Sequence, residues 1–236
     1  MACDIASSAG RGERRLQEIR GVLRSALADA LGAADLDAQD FIRVDTGDGF
    51  LLVAQAELPK AGLLFPLFPE LSARIRAHNR HAGADTRLRV RAAVHAGEIR
   101  IDPDGTVSGA PFEALARLLD SAPLRHATAA GTGGTPLAAI LSQHVYEETV
   151  GHGHEGLDAD SFTAADVRVK EYAARAWLWY PGSPIGPRAG SRRDRESGSG
   201  ERPDPRTVEQ LVRATGHGTV FAVHRGDQHI RHNDRG

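Results

Sequence analysis

Apolar residues recur every three or four positions through RRLQEIRGVLRSALADALG, at Leu16, Ile19, Leu23, Ala26, Leu27, Ala30 and Leu31. That spacing predicts an amphipathic helix of about five turns, with Gly32 near its stop. Before it, ACDIA (residues 2–6) reads as a short strand, and residues 7–12 as a loop of small side chains. After it, FIRVDTGDGFLLVAQ (residues 41–55) reads as two short apolar strands joined by a tight turn. Gly-Asp-Gly suits such a turn, because glycine takes positive φ at little cost and aspartate bonds its own backbone. A proline-punctuated loop leads to a second helix over 69–81, opened by Pro69, with Leu71, Ile75 and His78 on one face.

Arginine then alternates with apolar residues in RLRVRAAV (residues 87–94) at the period of a half-buried strand, running on through HAGEIRI into the turn DPDGTVSG. The helix PFEALARLLDSA carries Phe112, Leu115, Leu118 and Leu119 on one side and Arg117 off that stripe. PLAAILS predicts a strand, QHVYEETVG a short helix, and DVRVKEYAARAWLWY a closing hairpin or long strand. The order β, α, β, β, α, β, α, β, α, β predicts an α+β sandwich with helices packed on an antiparallel-rich sheet. This domain covers residues 1–180. Residues 181–205, rich in Pro, Gly, Ser and alternating charge, read as a flexible linker. Residues 206–236 carry a short helical pattern at Val208, Leu211 and Val212 and a tail able to dock on a protein partner by adding a strand to a sheet edge. No tandem repeat is visible.

Composition adjusts this picture only a little. The 236-residue chain is 41% hydrophobic and 25% charged, with a formal net charge of −2, an ordinary globular balance with no global field for nucleic acid or an anionic membrane. The basic residues are nearly all arginine, Lys60 and Lys170 being the only lysines. One cysteine, Cys3, excludes an intramolecular disulfide framework and a cysteine-based zinc cluster. No apolar run reaches a membrane span, and Asp4 stands where a secretory signal needs a basic start. The expected location is cytoplasmic, without membrane or nucleic-acid partners.

Candidate chemistry concentrates at strand ends. Asp4 closes the first strand and Asp48 sits in the first hairpin, so neighbouring strands would bring both carboxylates to one edge of the sheet. Such a pair suits Mg²⁺, which takes one or two carboxylates and shares its remaining coordination with phosphate and water. The small residues Ala6, Ser7, Ser8 and Ala9 would let backbone amides approach a triphosphate. His152 and His154 in GHGHEG read as a surface turn and His95 as a buried, hydrogen-bonded residue, while Trp177 and Trp179 read as strand residues facing one side.

The order of four motifs resembles the catalytic domain of class III nucleotidyl cyclases, the adenylate and guanylate cyclases. CDIASSAGRG is similar to that family's opening aspartate and phosphate loop, and VDTGDGFLLV to its Gly-Asp-Gly hairpin. RLRVRAAVHAGEI is similar to its Arg-x-Gly-x-His-x-Gly strand at Arg91, His95 and Gly97, and SGAPFEALARLLDS to its Gly-x-x-Val-Asn-x-Ala-x-Arg-Leu helix. The resemblance spans residues 2 to 180 and implies a ferredoxin-like sandwich.

It further implies that Asp4 and Asp48 hold two Mg²⁺ (or Mn²⁺) ions per site and that Ile5, Ala6, Ser7 and Ser8 form the phosphate loop. Arg117 would stabilise the transition state from the opposite subunit of a homodimer, the substrate being a nucleoside triphosphate. The candidate substrate-binding positions Val44, Thr106, Glu113 and Arg175 depart from the family. Glu113 replaces the ribose-orienting asparagine, Val44 and Thr106 occupy the base-selecting places without reading adenine or guanine in the usual way, and Arg175 substitutes for a missing phosphate-gripping lysine. Two functions follow: a metal-dependent cyclase releasing pyrophosphate, or a cyclase-like domain that senses nucleotide or acts as a scaffold without turnover.

Overall fold

The computed structural model describes residues 1–103, 105–130 and 135–183. The linker beyond Ser183 and the tail over 206–236 lie outside the described residues. The elements in chain order are β1 (Ala2–Ile5), α1 (Glu13–Ala33), β2 (Phe41–Asp45), β3 (Gly49–Ala54), α2 (Leu67–Asn79), β4 (Val90–Val94), β5 (Arg100–Ile101), β6 (Val107–Ser108), α3 (Ala110–Leu119), α4 (Ala122–Ala130), β7 (Leu137–Ser142), α5 (Gln143–Glu148), β8 (Phe162–Val169) and β9 (Tyr172–Trp179). Seven strands form one sheet in the order β2-β3-β1-β4-β7-β9-β8, and β5 and β6 make a separate small hairpin. Every pairing in the large sheet is antiparallel except β4 with β7, so the fold is a mixed α+β one with an antiparallel-rich sheet.

Strand alternation separates two cores. Cys3, Ile5, Val90, Ala92, Val94, Leu137, Ala139 and Leu141 face a core completed by Ile19, Leu23 and Leu27 of α1 and Phe68, Leu71 and Ile75 of α2. The intervening residues Ala93, Ala138 and Ile140 face the other way, onto Leu115 and Leu118 of α3 and Leu124 and Ala127 of α4. Helices therefore cover both faces of the sheet. That is why β7 is buried along its whole length and reads as a continuous apolar run.

The predicted helix over 69–81 forms two residues earlier, at Leu67–Asn79. The strand expected over 87–94 begins only at Val90 and ends at Val94, so HAGEIRI does not continue it. The segment DVRVKEYAARAWLWY forms part of a hairpin, turning at Lys170 and Glu171 between β8 and β9. Trp179 enters the core beside Phe68. Trp177 stacks on Tyr146 at 3.7 Å between ring centroids, with 5° between the planes, and donates from Nε1 to Gln143 Oε1 at 2.7 Å. None of the described helices is long and apolar enough to cross a membrane.

Candidate functional site

Three adjacent strands build the site. Asp4 of β1 lies opposite Gly49 of β3 on one side and Arg91 of β4 on the other. The approach of β1 to β3 is so close that a Cβ on Gly49 would stand 1.9 Å from the carbonyl oxygen of Cys3, so glycine is obligatory there. The turn is held by the Thr46 amide donating to the Gly49 carbonyl at 3.1 Å, with Gly47 at φ 85°. Asp48 is carried between the two glycines to the end of β1, where its carbonyl accepts from the Ile5 amide at 3.1 Å. Its carboxylate accepts a 2.6 Å hydrogen bond from Ser8 Oγ.

Asp4 alternates with Cys3 and Ile5, both of which enter the α1/α2 core, so its side chain faces the α3/α4 side. Arg91 holds it with two bonds, Nε to Oδ1 at 2.8 Å and Nη2 to Oδ2 at 2.5 Å. Both side chains are largely buried, 17% exposed for Arg91 and 14% for Asp4. Burial nevertheless pushes the Asp4 carboxyl above its ordinary value, against Arg91 and with help from the negative charges of Asp48 and Asp120. The Arg91 guanidinium is shifted upward: burial opposes the shift, and the bond to Asp4 drives it. Four charged groups, Asp4, Asp48, Asp120 and Arg91, thus share one neighbourhood, three of them acidic.

The loop after β1 differs from its sequence reading. Ile5 ends β1 and Ala6 opens the turn after it, their amides donating to Asp48 O at 3.1 Å and Arg89 O at 2.8 Å. Those two amides are therefore already engaged with neighbouring backbone. The loop proper begins at Ser7, which takes a left-handed φ of 56°. Arg11 pins it by donating from Nε to Ser7 O at 3.0 Å and from Nη1 to Arg87 O at 2.7 Å. An open concavity of about 640 Å³ lies against this loop and the hairpin, lined by Ser8, Gly10, Gly12, Glu13, Arg20 and Asp48 among others. Helix α1 starts on its rim with Gly12 at the N-cap and no side-chain cap. Its first amides therefore lack a side-chain partner at the cap.

The donor set around Asp4 and Asp48 is carboxylate and hydroxyl oxygen, the chemistry of a hard cation. Among the described residues no group of three His, Cys, Asp or Glu side chains forms a closed cage. Oxygen donors of this kind are what Mg²⁺ takes, one or two carboxylates with water and phosphate filling its shell, and here both Asp4 oxygens accept from Arg91.

Arg117 stands apart from this pair in its contacts. Its Nη2 donates to Glu113 Oε1 at 3.1 Å and to Glu171 Oε1 at 3.0 Å. Glu113 lies one turn earlier on α3, and Glu171 in the β8–β9 turn. Sequence reasoning marked Glu113 but missed its bond to Arg117, although the i, i+4 spacing carries that signal. It missed Glu171 altogether, because only the closure of the hairpin brings it to α3. Arg175 lies over the Trp177 ring, 5.4 Å from its centroid. It alternates with Ala176 on β9 and shares the α1/α2 side with Trp177, opposite to Asp4. Val44 is 40% exposed on the edge strand β2, and Thr106 lies in the turn of the β5–β6 hairpin, its carbonyl accepting from Asp102. The expected hydrogen bond of His95 is absent among the described residues: its Nδ1 is buried without a partner. Burial, then His144 and the N-terminus, lower its pKa and favour the neutral ring.

No family model matches the chain, and no curated protein matches it. Among solved structures it is similar to the guanylyl cyclase Cya2, at 14% identity over 75% of this chain and 87% of that one, with a TM-score of 0.46. It is similar to the catalytic core of a rhodopsin-guanylyl cyclase with converted specificity in complex with ATPαS, at 12% identity over 75% and 92%, TM-score 0.44. An adenylate cyclase from Trypanosoma brucei, solved in its monomeric state, is 16% identical over 83% and 92%, TM-score 0.47. With each of these scores below 0.5, the functional reading rests on the residues of this chain.

Proposed function

We propose that the chain is a metal-dependent nucleotidyl cyclase that converts a nucleoside triphosphate to a cyclic monophosphate and pyrophosphate. The observation that carries this reading is the pairing of Asp4 on β1 with Asp48 in the adjoining β2–β3 turn, whose negative charge bears on Asp4, Asp48 itself lining an open, glycine-rich concavity. Asp4 and Asp48 would hold the cations, with Ser8 orienting the Asp48 carboxylate. When bound, Mg²⁺ or Mn²⁺ would activate a ribose 3′-hydroxyl for attack on the α-phosphorus and draw charge from the departing pyrophosphate.

The chain's own groups supply the rest. Arg91 neutralises Asp4 in the resting site and keeps its carboxylate in one orientation. Ser8, Gly10, Gly12 and Glu13 line the concavity, and backbone amides of this loop and of the first turn of α1 would serve as donors for phosphate oxygens. Arg117 supplies positive charge for the pentavalent transition state. Because its guanidinium contacts Glu113 and Glu171 and not the Asp4–Asp48 pair, we assign it to the site of a second copy, which makes the active form a homodimer with composite sites.

The test is direct. Purified protein incubated with ATP, GTP, CTP or UTP and Mg²⁺ or Mn²⁺ releases pyrophosphate and a cyclic monophosphate from at least one of them. Asp48→Ala lowers both products by about a hundredfold or more. Product formed at the wild-type rate after this substitution would reject the metal assignment.

One observation favours a second reading, nucleotide binding without turnover. Arg117 is bonded to two carboxylates, and a guanidinium so neutralised contributes little to a developing negative charge. Nucleotide binding to the wild-type chain with no pyrophosphate release from any of the four triphosphates would establish it.

A further inference from the structure

The ion group on α3 deepens the proposed function, and it rests on the assignment of Arg117 to a phosphate-facing role. One guanidinium stands between two carboxylates, so the group carries net negative charge. Both bonds use the same nitrogen, Nη2. Arg117 Nε is buried and has no partner among the described residues, which leaves the guanidinium incompletely satisfied despite two acidic neighbours. The three side chains differ in exposure: Arg117 is 20% exposed, Glu113 64% and Glu171 72%. The arginine is thus held in place while its partners are in water, where an ion pair is readily exchanged for another anion.

Glu113 and Glu171 are held differently. Glu113 is on the same helix as Arg117, at the spacing that favours an i, i+4 pair. Glu171 belongs to a two-residue turn whose other member, Lys170, takes a left-handed φ of 54°. A bond from its own backbone, then Arg117 and Lys170, hold the Glu171 carboxyl below the usual range, so it is ionised near neutrality.

We infer that Glu113 and Glu171 form a carboxylate clamp that determines specificity at Arg117: an anion takes Nη2, the nitrogen both carboxylates share, only by displacing one of them. The clamp thereby selects for polyanions. A monoanion offers no more charge than the carboxylate it replaces, whereas a polyphosphate brings several oxygens to the same fork. Glu113 and Glu171 are positioning residues, acting on a ligand through Arg117.

Two readouts test this without relying on turnover. Modification of the full chain by phenylglyoxal, followed by proteolysis and mass spectrometry of the peptide carrying Arg117, reports how available that guanidinium is. Titration calorimetry with inorganic tripolyphosphate reports anion affinity. In the Glu113→Gln/Glu171→Gln double variant, modification is faster and tripolyphosphate binds roughly fivefold tighter, the scale of one exposed charge pair. Adding Arg117→Met removes that gain. An unchanged modification rate in the double variant overturns the clamp, and faster modification with unchanged tripolyphosphate affinity overturns its role in specificity. If the double variant shows both effects while no variant releases pyrophosphate from any nucleotide, the clamp stands and the cyclase reading fails.

Discussion

Arg91 and Arg117 are each bonded to carboxylates, but in different settings. Arg91 and Asp4 are both largely buried, joined by two bonds across neighbouring central strands. Arg117 meets two mostly exposed carboxylates, one from its own helix and one from a turn. In the first setting each partner makes the other's burial tolerable, and removing one leaves a desolvated charge. In the second, water stands ready to replace either carboxylate, and the pairing contributes little to stability. The same chemistry therefore fixes a site carboxylate in place at one position and leaves a guanidinium open to exchange at the other.

The sharpest way to break the contrast acts on the backbone that creates the buried centre. Gly49→Ala drives a Cβ into the Cys3 carbonyl and should cost about 4 kcal/mol or more, the upper tail for single substitutions. Urea unfolding of the variant measures it. Arg91→Met leaves Asp4 unpaired and should cost about 3 kcal/mol near neutral pH.

That second loss depends on pH with a definite sign. The folded Asp4 carboxyl already lies above its ordinary value through burial, so the folded state holds its proton to higher pH than the unfolded chain does. Asp4's contribution to stability is then full below the unfolded value of about 3.9 and declines as pH rises through the folded one. Without Arg91 the folded value rises further, and the penalty of Arg91→Met should grow with pH across and above the carboxylate range. Unfolding midpoints of both proteins at successive pH values test this, and a pH-independent difference would contradict it.

A functional comparison of the two centres comes next. Asp48→Ala and Arg117→Ala should each lower cyclisation by about a hundredfold or more. An equimolar mixture should regain activity, because a head-to-tail heterodimer retains one intact composite site. The smallest effect is on stability at the exposed centre. Glu171→Gln should leave the melting temperature unchanged within experimental error, and a clear drop would show that the clamp bears on folding.

Much of this was legible in the sequence, for reasons visible in particular residues. Period-four recurrence from Ile19 to Leu31 marked α1, and Gly47-Asp48-Gly49 marked the hairpin, since few other residues suit that turn. Helix α4 escaped notice because PLRHATAA has only one large apolar residue on its buried face, Leu124. β5 and β6 merged with their turn because two residues show no period. At the site, Asp4 and Asp48 stood out by type and position. The pairing of Asp4 with Arg91 did not, because cross-strand register decides it over 87 residues of chain. Glu171 was hidden for the same reason: its meeting with Arg117 spans 54 residues and depends on how the β8–β9 hairpin closes onto α3.

The stacked Trp177 carries a practical consequence. The chain has only two tryptophans, and both lie on β9, the strand whose opposite end turns at Glu171. Tryptophan emission from the unlabelled protein therefore originates from one strand, with one indole in the interior and the other stacked on Tyr146 with Arg175 5.4 Å from its ring centroid. Loss of the β9 pairings would therefore be detected as a change of colour or intensity in that emission, an optical gauge of the sheet that needs no label.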